Sequence, residues 1–161
     1  MKNDFETDLV ELLNELSTVQ DELFDVLQRK RDRMAGGDLQ GMRSLEPAEA
    51  ALQDRLTQCH ERRAQMLDEA SASGLPHGSL GELASVLPSE SAGKLQKQVK
   101  QSADRMRLLQ HHSLTNWVIA QRSLLHVSQM LEIIATGGRI KPTYEKGGSS
   151  QSSGGLVDRE A

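Results

Sequence analysis

From Phe5 the apolar residues fall at Leu9, Leu12, Leu16, Val19, Leu23 and Val26, in alternating steps of four and three. That rhythm is the seam of a helix packed in a coiled-coil manner, and it predicts a first helix from about Asp4 to Met34. Acidic side chains crowd its start (Asp4, Glu6, Asp8, Glu11, Glu15) and basic ones its last turns (Arg29, Lys30, Arg31, Arg33), which complements the helix macrodipole at both ends. Ala35-Gly36-Gly37-Asp38 is the expected stop. A second stripe, Leu45, Ala48, Leu52, Leu56, Cys59, Met66, Leu67 and Ala70, predicts a second helix. Pro47 leaves two arrangements for its start: a short turn over Asp38 to Ser44 followed by the main helix, or a single helix kinked at the proline. A start near Ser44 is favoured, because proline is tolerated in a first turn.

Ser73 to Ser91 is rich in Gly, Pro and Ser and carries a short apolar insert, Leu80, Leu83, Val86 and Leu87, long enough for two helical turns. It reads as a connection that still touches the core. A last helix is expected from about Ser89 to Thr136, closed by Gly137-Gly138. Leu95, Val99, Met106, Leu109, Trp117, Ala120, Leu124, Val127, Leu131 and Ile134 keep the three-and-four rhythm along it. Beyond Gly138 the composition shifts to Gly, Ser, Lys and Glu, with too little apolar surface to offset chain entropy. The expected organisation is therefore a helical bundle over 1–137 and a flexible tail over 138–161. The expected fold class is all-α: an elongated antiparallel helical hairpin or coiled-coil bundle of three main helices with a disordered C-terminal tail.

Composition narrows the function. Aromatics are 2% of the 161 residues, so a core here is built from Leu, Val, Met and Ala. The net charge is -4, with both signs interspersed and no long cationic run, which argues against a grip on nucleic acid. A lone cysteine, Cys59, has no partner within the chain, and Met1 to Val10 carries charges where a secretory signal needs an apolar run. A cytoplasmic protein is expected. No stretch reaches the roughly 20 apolar residues that cross a bilayer, so no membrane insertion is expected.

Candidate chemistry is sparse. The five histidines, His60, His77, His111, His112 and His126, form no HExxH and no helical His-x-x-x-His pair, and surface or helix-flank roles fit them better than a metal site. The carboxylates of the first helix lie off the apolar seam, as solvated residues do. Cys59 sits on an apolar stripe, where a small buried hydrophobe is the commoner role. Gly36-Gly37 and Gly137-Gly138 mark helix ends rather than a phosphate loop. Neither catalysis, metal nor cofactor is expected.

The feature in excess of structural need is the end of the last helix. At 100° per residue, Trp117, Ala120, Leu124, Val127, Leu131 and Ile134 form one stripe, Leu114, Val118 and Leu125 a second, and Ile119, Met130 and Ile133 a third. A helix apolar nearly all round is either covered by neighbouring helices of its own chain or waits for a partner. Geometry favours the partner. If the first helix goes up and the second returns, the last runs parallel to the first, with Lys94, Lys97, Lys100, Arg105 and Arg107 beside its acidic start. With about 48 residues against 31 or so, it outruns the first helix by roughly 25 Å. Leu114, Val118 and Leu125 then offer anchors for an amphipathic helix.

In this order and spacing the chain resembles the FlgN family of flagellar export chaperones from Leu9 to Gly148. The shared elements are the leucine-rich first helix ending in Arg29-Lys30-Arg31, the Gly37-Asp38-Leu39 turn, and a second helix with Glu49, Leu52 and Arg62-Arg63. The long final helix carries Asn116 and Leu124-Leu125, and Thr143-Tyr144-Glu145-Lys146-Gly147 follows, similar to the family's threonine-tyrosine-glycine tail. Glu145 stands where the family often has glycine, and the serine-glycine extension after Gly148 is unusual. The resemblance implies a cytoplasmic chaperone, not an enzyme, that binds hook-associated (hook-filament junction) subunits through their C-terminal helices, prevents premature assembly and delivers them to the flagellar export apparatus. It places client binding on the last helix, at Leu114, Trp117, Val118, Leu124, Leu125 and Leu131, and docking at the export gate on Tyr144. A monomer or weak homodimer is expected. The alternative is a structural coiled-coil adaptor that self-associates through the same surface.

Overall fold

The computed structural model describes residues 2–87 and 89–137. The described residues form helices and no strands, in the order α1 (Lys2–Ala35), α2 (Leu39–Arg43), α3 (Glu46–Ala72), α4 (Leu80–Ser85) and α5 (Ser89–Thr136). The all-α class with three long helices is thus present, while the residues assigned to the tail lie outside the described ones. The chain divides into two units, Met1–Asn116 and Trp117–Ala161.

Local chemistry sets the helix ends. After α1, Gly37 takes φ 68°, and the amides of Asp38 and Gly37 donate to Arg33 O and Met34 O at 2.9 and 3.1 Å. After α3, Gly74 takes φ 70°, and Leu75 N and Gly74 N donate to Ala70 O and Ser71 O at 2.9 and 3.0 Å. Both are Schellman ends, which satisfy orphan carbonyls and need a residue that tolerates the left-handed region. Asp38 then caps α2, its Oδ1 accepting from Gly41 N at 2.8 Å while its Oδ2 pairs with Arg33 at 2.6 Å. Those bonds hold its carboxyl below the usual range.

The stretch from Asp38 to Ser44, expected as a turn, is therefore a capped helical turn, and α3 starts at Glu46 with Pro47 in its first turn. Proline fits there because the missing N–H has no helical acceptor. Ser79 caps α4 by accepting from Glu82 N at 3.2 Å, the serine-x-x-glutamate spacing of a capping box.

Within residues 1–116, α1 is bonded to both α3 and α5. Lys30 pairs with Glu49, Arg55 with Glu15 and Glu22, and Arg62 with Asp8 and Glu11, so α3 runs antiparallel to α1. Gln20 bonds Ser102, Arg105 bonds Ser17 and Asp21, and Arg31 bonds His112 and Asn116, so α5 runs parallel to α1, as the sequence predicts. The charge pairing differs from the prediction. Of the basic residues expected beside the start of α1, Arg105 reaches Asp21, Arg107 pairs with Asp104 of its own helix, and among the described residues Lys94, Lys97 and Lys100 make no ion pair with α1. Asp8, Glu11, Glu15 and Glu22 of α1 pair with α3 instead, where Arg55 and Arg62, two turns apart, share one side of the helix.

Two apolar clusters fill the interfaces. The first joins Phe5, Leu9, Leu12 and Leu13 of α1 to Cys59, Met66 and Ala70 of α3, with Leu80, Leu83 and Ala84 of α4 inserted and Leu95 of α5 closing it. The second joins Val19, Leu23, Val26 and Leu27 of α1 to Leu45, Leu52 and Leu109. The insert at residues 80–87 is thus core, because Leu83 and Ala84 are fully buried.

Between the clusters sits Gln20, 0% exposed. Its Nε2 donates to Ser102 O at 2.9 Å and to Ser102 Oγ at 3.2 Å. A carbonyl only accepts, so the amide orientation is fixed and Oε1 points elsewhere, buried and without a donor. Such an atom costs about 1–3 kcal/mol. Nothing in the α1 pattern singled Gln20 out, since it sits beside the seam residue Val19.

Candidate functional site

Among the described residues no group of three or more His, Cys, Asp and Glu side chains could hold a metal ion. Cys59 is buried in the first cluster, and desolvation, with Glu15 nearby, pushes its thiol up and away from the reactive thiolate. His112 has a structural part: its ring meets Phe24 edge-on at 5.2 Å, and its Nδ1 faces Arg31 Nη2 at 3.0 Å. The same guanidinium donates to Asn116 Oδ1 at 3.1 Å, and Asn116 Nδ2 donates to Leu27 O at 2.9 Å. Asn116 is 5% exposed, so this network satisfies a buried amide and fastens α5 to the last turns of α1.

The candidate surface lies on α5. Leu114 is exposed at the end of the first unit. In the second unit, Trp117, Leu124, Leu125, Val127, Met130, Leu131, Ile133 and Ile134 are 48–69% exposed, and Val118 and Ile119 are half-buried. From residue 120 to 136 every side chain is exposed. Five of the six residues singled out from the sequence, Leu114, Trp117, Leu124, Leu125 and Leu131, are thus solvent-facing, while Val118 is less open than expected.

The segment is also nearly uncharged: between Trp117 and Thr136 only Arg122 and Glu132 carry full charges. No helix among the described residues is long and apolar enough to cross a membrane. A neutral surface with large aliphatic side chains on several sides has the character of a protein-docking surface, well beyond the scattered apolar residues of an ordinary exterior. Tyr144 and its neighbours, residues 143–147, lie outside the described residues.

A family model described as FlgN protein matches residues 1–152. No curated protein and no solved structure matches the chain. The family match runs through both apolar clusters, the Arg31–Asn116 network and the exposed end of α5, and the chain therefore belongs to the FlgN family, a family of flagellar export chaperones.

Proposed function

We propose that this chain is a cytoplasmic, non-catalytic chaperone of hook-associated, hook-filament junction subunits, which keeps them from premature assembly and delivers them to the export apparatus. The observation that carries this reading is the nearly uncharged end of α5, where eight large apolar side chains between Trp117 and Ile134 are about half to two-thirds exposed. A client that offers an amphipathic C-terminal helix supplies the matching apolar face. In this reading Leu114, Trp117, Val118, Leu124, Leu125 and Leu131 hold the client helix, and Tyr144 docks the loaded chaperone at the export gate. The free protein is a monomer or a weak homodimer, and no cofactor or metal takes part.

Isothermal titration of a purified hook-filament junction subunit into the full chain tests this directly. Wild type should form a defined complex, and Leu124→Glu/Leu131→Glu should lose it, because the bound state buries two carboxylates without partners. Equal binding by the variant, or none by wild type, would sink the assignment.

A further inference from the structure

The proposed client site leaves much of the apolar surface on residues 117–136 unused. With Trp117 at zero and about 100° per residue, its six residues lie on an arc from about 320° at Leu131 to about 100° at Val118. Four other exposed residues, Val127, Met130, Ile133 and Ile134, occupy a second arc from about 160° to about 280° on the same scale. Arg122 and Glu132, at about 140° and about 60°, both fall outside that second arc. Only His126 and Ser123 interrupt it with polar groups. A helix packed on one neighbour buries a stripe of about 100°, so a single client helix on the first arc leaves the second in water.

We propose that this second face, Val127, Met130, Ile133 and Ile134, takes a second helix of the same client, so that the client grips α5 from two sides. The inference rests on the chaperone reading above. Area selects the occupant. A half-exposed aliphatic side chain offers roughly 60–100 Å², so the first arc alone presents about 350–600 Å², short of the roughly 800 Å² per partner of a standard stable interface. Both arcs together reach that size. Two copies of this chain paired through the second arc alone bury only about 500–800 Å² in total, in the range of crystal contacts and under the roughly 1,200 Å² of a stable complex. The remaining 24 residues, 138–161, are mainly Gly, Ser and charged, with Ile140, Tyr144, Leu156 and Val157 as their large apolar or aromatic residues, too few for a helix face of this width.

The test uses the full chain and the Met130→Glu/Ile133→Glu variant, titrated with two probes: an intact hook-filament junction subunit and a synthetic peptide of that subunit's C-terminal helix. The variant should bind the intact subunit at least about 30-fold more weakly and the peptide within about threefold of wild type. Unchanged affinity for the intact subunit overturns the two-sided grip, as does an equal loss with both probes, which would mean that one helix spans both arcs. A variant that keeps client affinity but loses self-association in sedimentation would assign the face to a second copy. Wild type that binds neither probe removes the chaperone reading itself, an outcome distinct from a wild type that binds and is sensitive only on the first arc.

Discussion

The two parts of α5 invert the usual relation between apolar content and burial. Up to Asn116 the helix is amphipathic: Leu95 and Leu109 are buried against α1, while Lys94, Lys97, Lys100, Asp104 and Arg107 separate the apolar positions. From Trp117 onwards it is apolar on three sides, and none of its described residues is buried. Amphipathicity follows from a neighbour already present, because only the covered stripe has to be apolar. Apolar residues all round have no such origin among the described residues, and a surface kept that way is exposed to aggregation unless something binds it. The first part of α5 serves the fold, and in the proposed reading the second serves association.

Leucine truncation tests that contrast most strongly. Leu95→Ala removes a side chain from the first cluster and should destabilise the protein by about 2–5 kcal/mol, whereas Leu124→Ala should change urea-unfolding stability by no more than about 0.5 kcal/mol. Comparable losses at the two positions would abolish the distinction.

A smaller effect is expected at the network where α5 meets the last turns of α1. Arg31→Ala deprives the buried Asn116 Oδ1 of its donor and should lower stability by about 1–3 kcal/mol. Reversal in the additional presence of Asn116→Leu would show that the lost donor, rather than lost charge, is responsible.

Gln20→Leu should act in the opposite direction. It removes the buried, donorless Oε1 and fills the gap between the two clusters, raising stability by about 1 kcal/mol at most. A fall in the melting temperature would indicate that the bonds to Ser102 outweigh the orphaned oxygen.

Much of this architecture was legible because it rests on short-range rules. The alternating steps from Phe5 to Val26 give α1 and its buried face, the glycine pairs give the helix ends, and Ser89 and Thr136 bound α5 as expected. The pairing of charges was less legible, because which cations face the acidic side of α1 depends on how α3 is rotated as much as on the order of helices. Arg55 and Arg62 took the place expected for the lysines of α5. Gln20 and His112 were missed for a related reason: a polar residue beside a seam looks solvated until the third helix covers it. The apolar end of α5 stood out from composition alone, but its exposure did not, since an all-round apolar helix is equally consistent with a central core position. Val118, half-buried, marks where that expectation was too simple.

As proposed, residues 117–136 contribute binding surface and almost nothing to the folded core. Thermal unfolding of Leu124→Glu/Leu125→Glu/Leu131→Glu, followed by circular dichroism, tests it most directly, since glutamate matches leucine closely in helix propensity and the three sites span both stripes of the proposed client surface. Wild-type helicity and a melting temperature within about 2 °C of wild type are expected. A collapsed transition, as expected when several carboxylates are forced into an apolar interior, would contradict it and return this segment to the core.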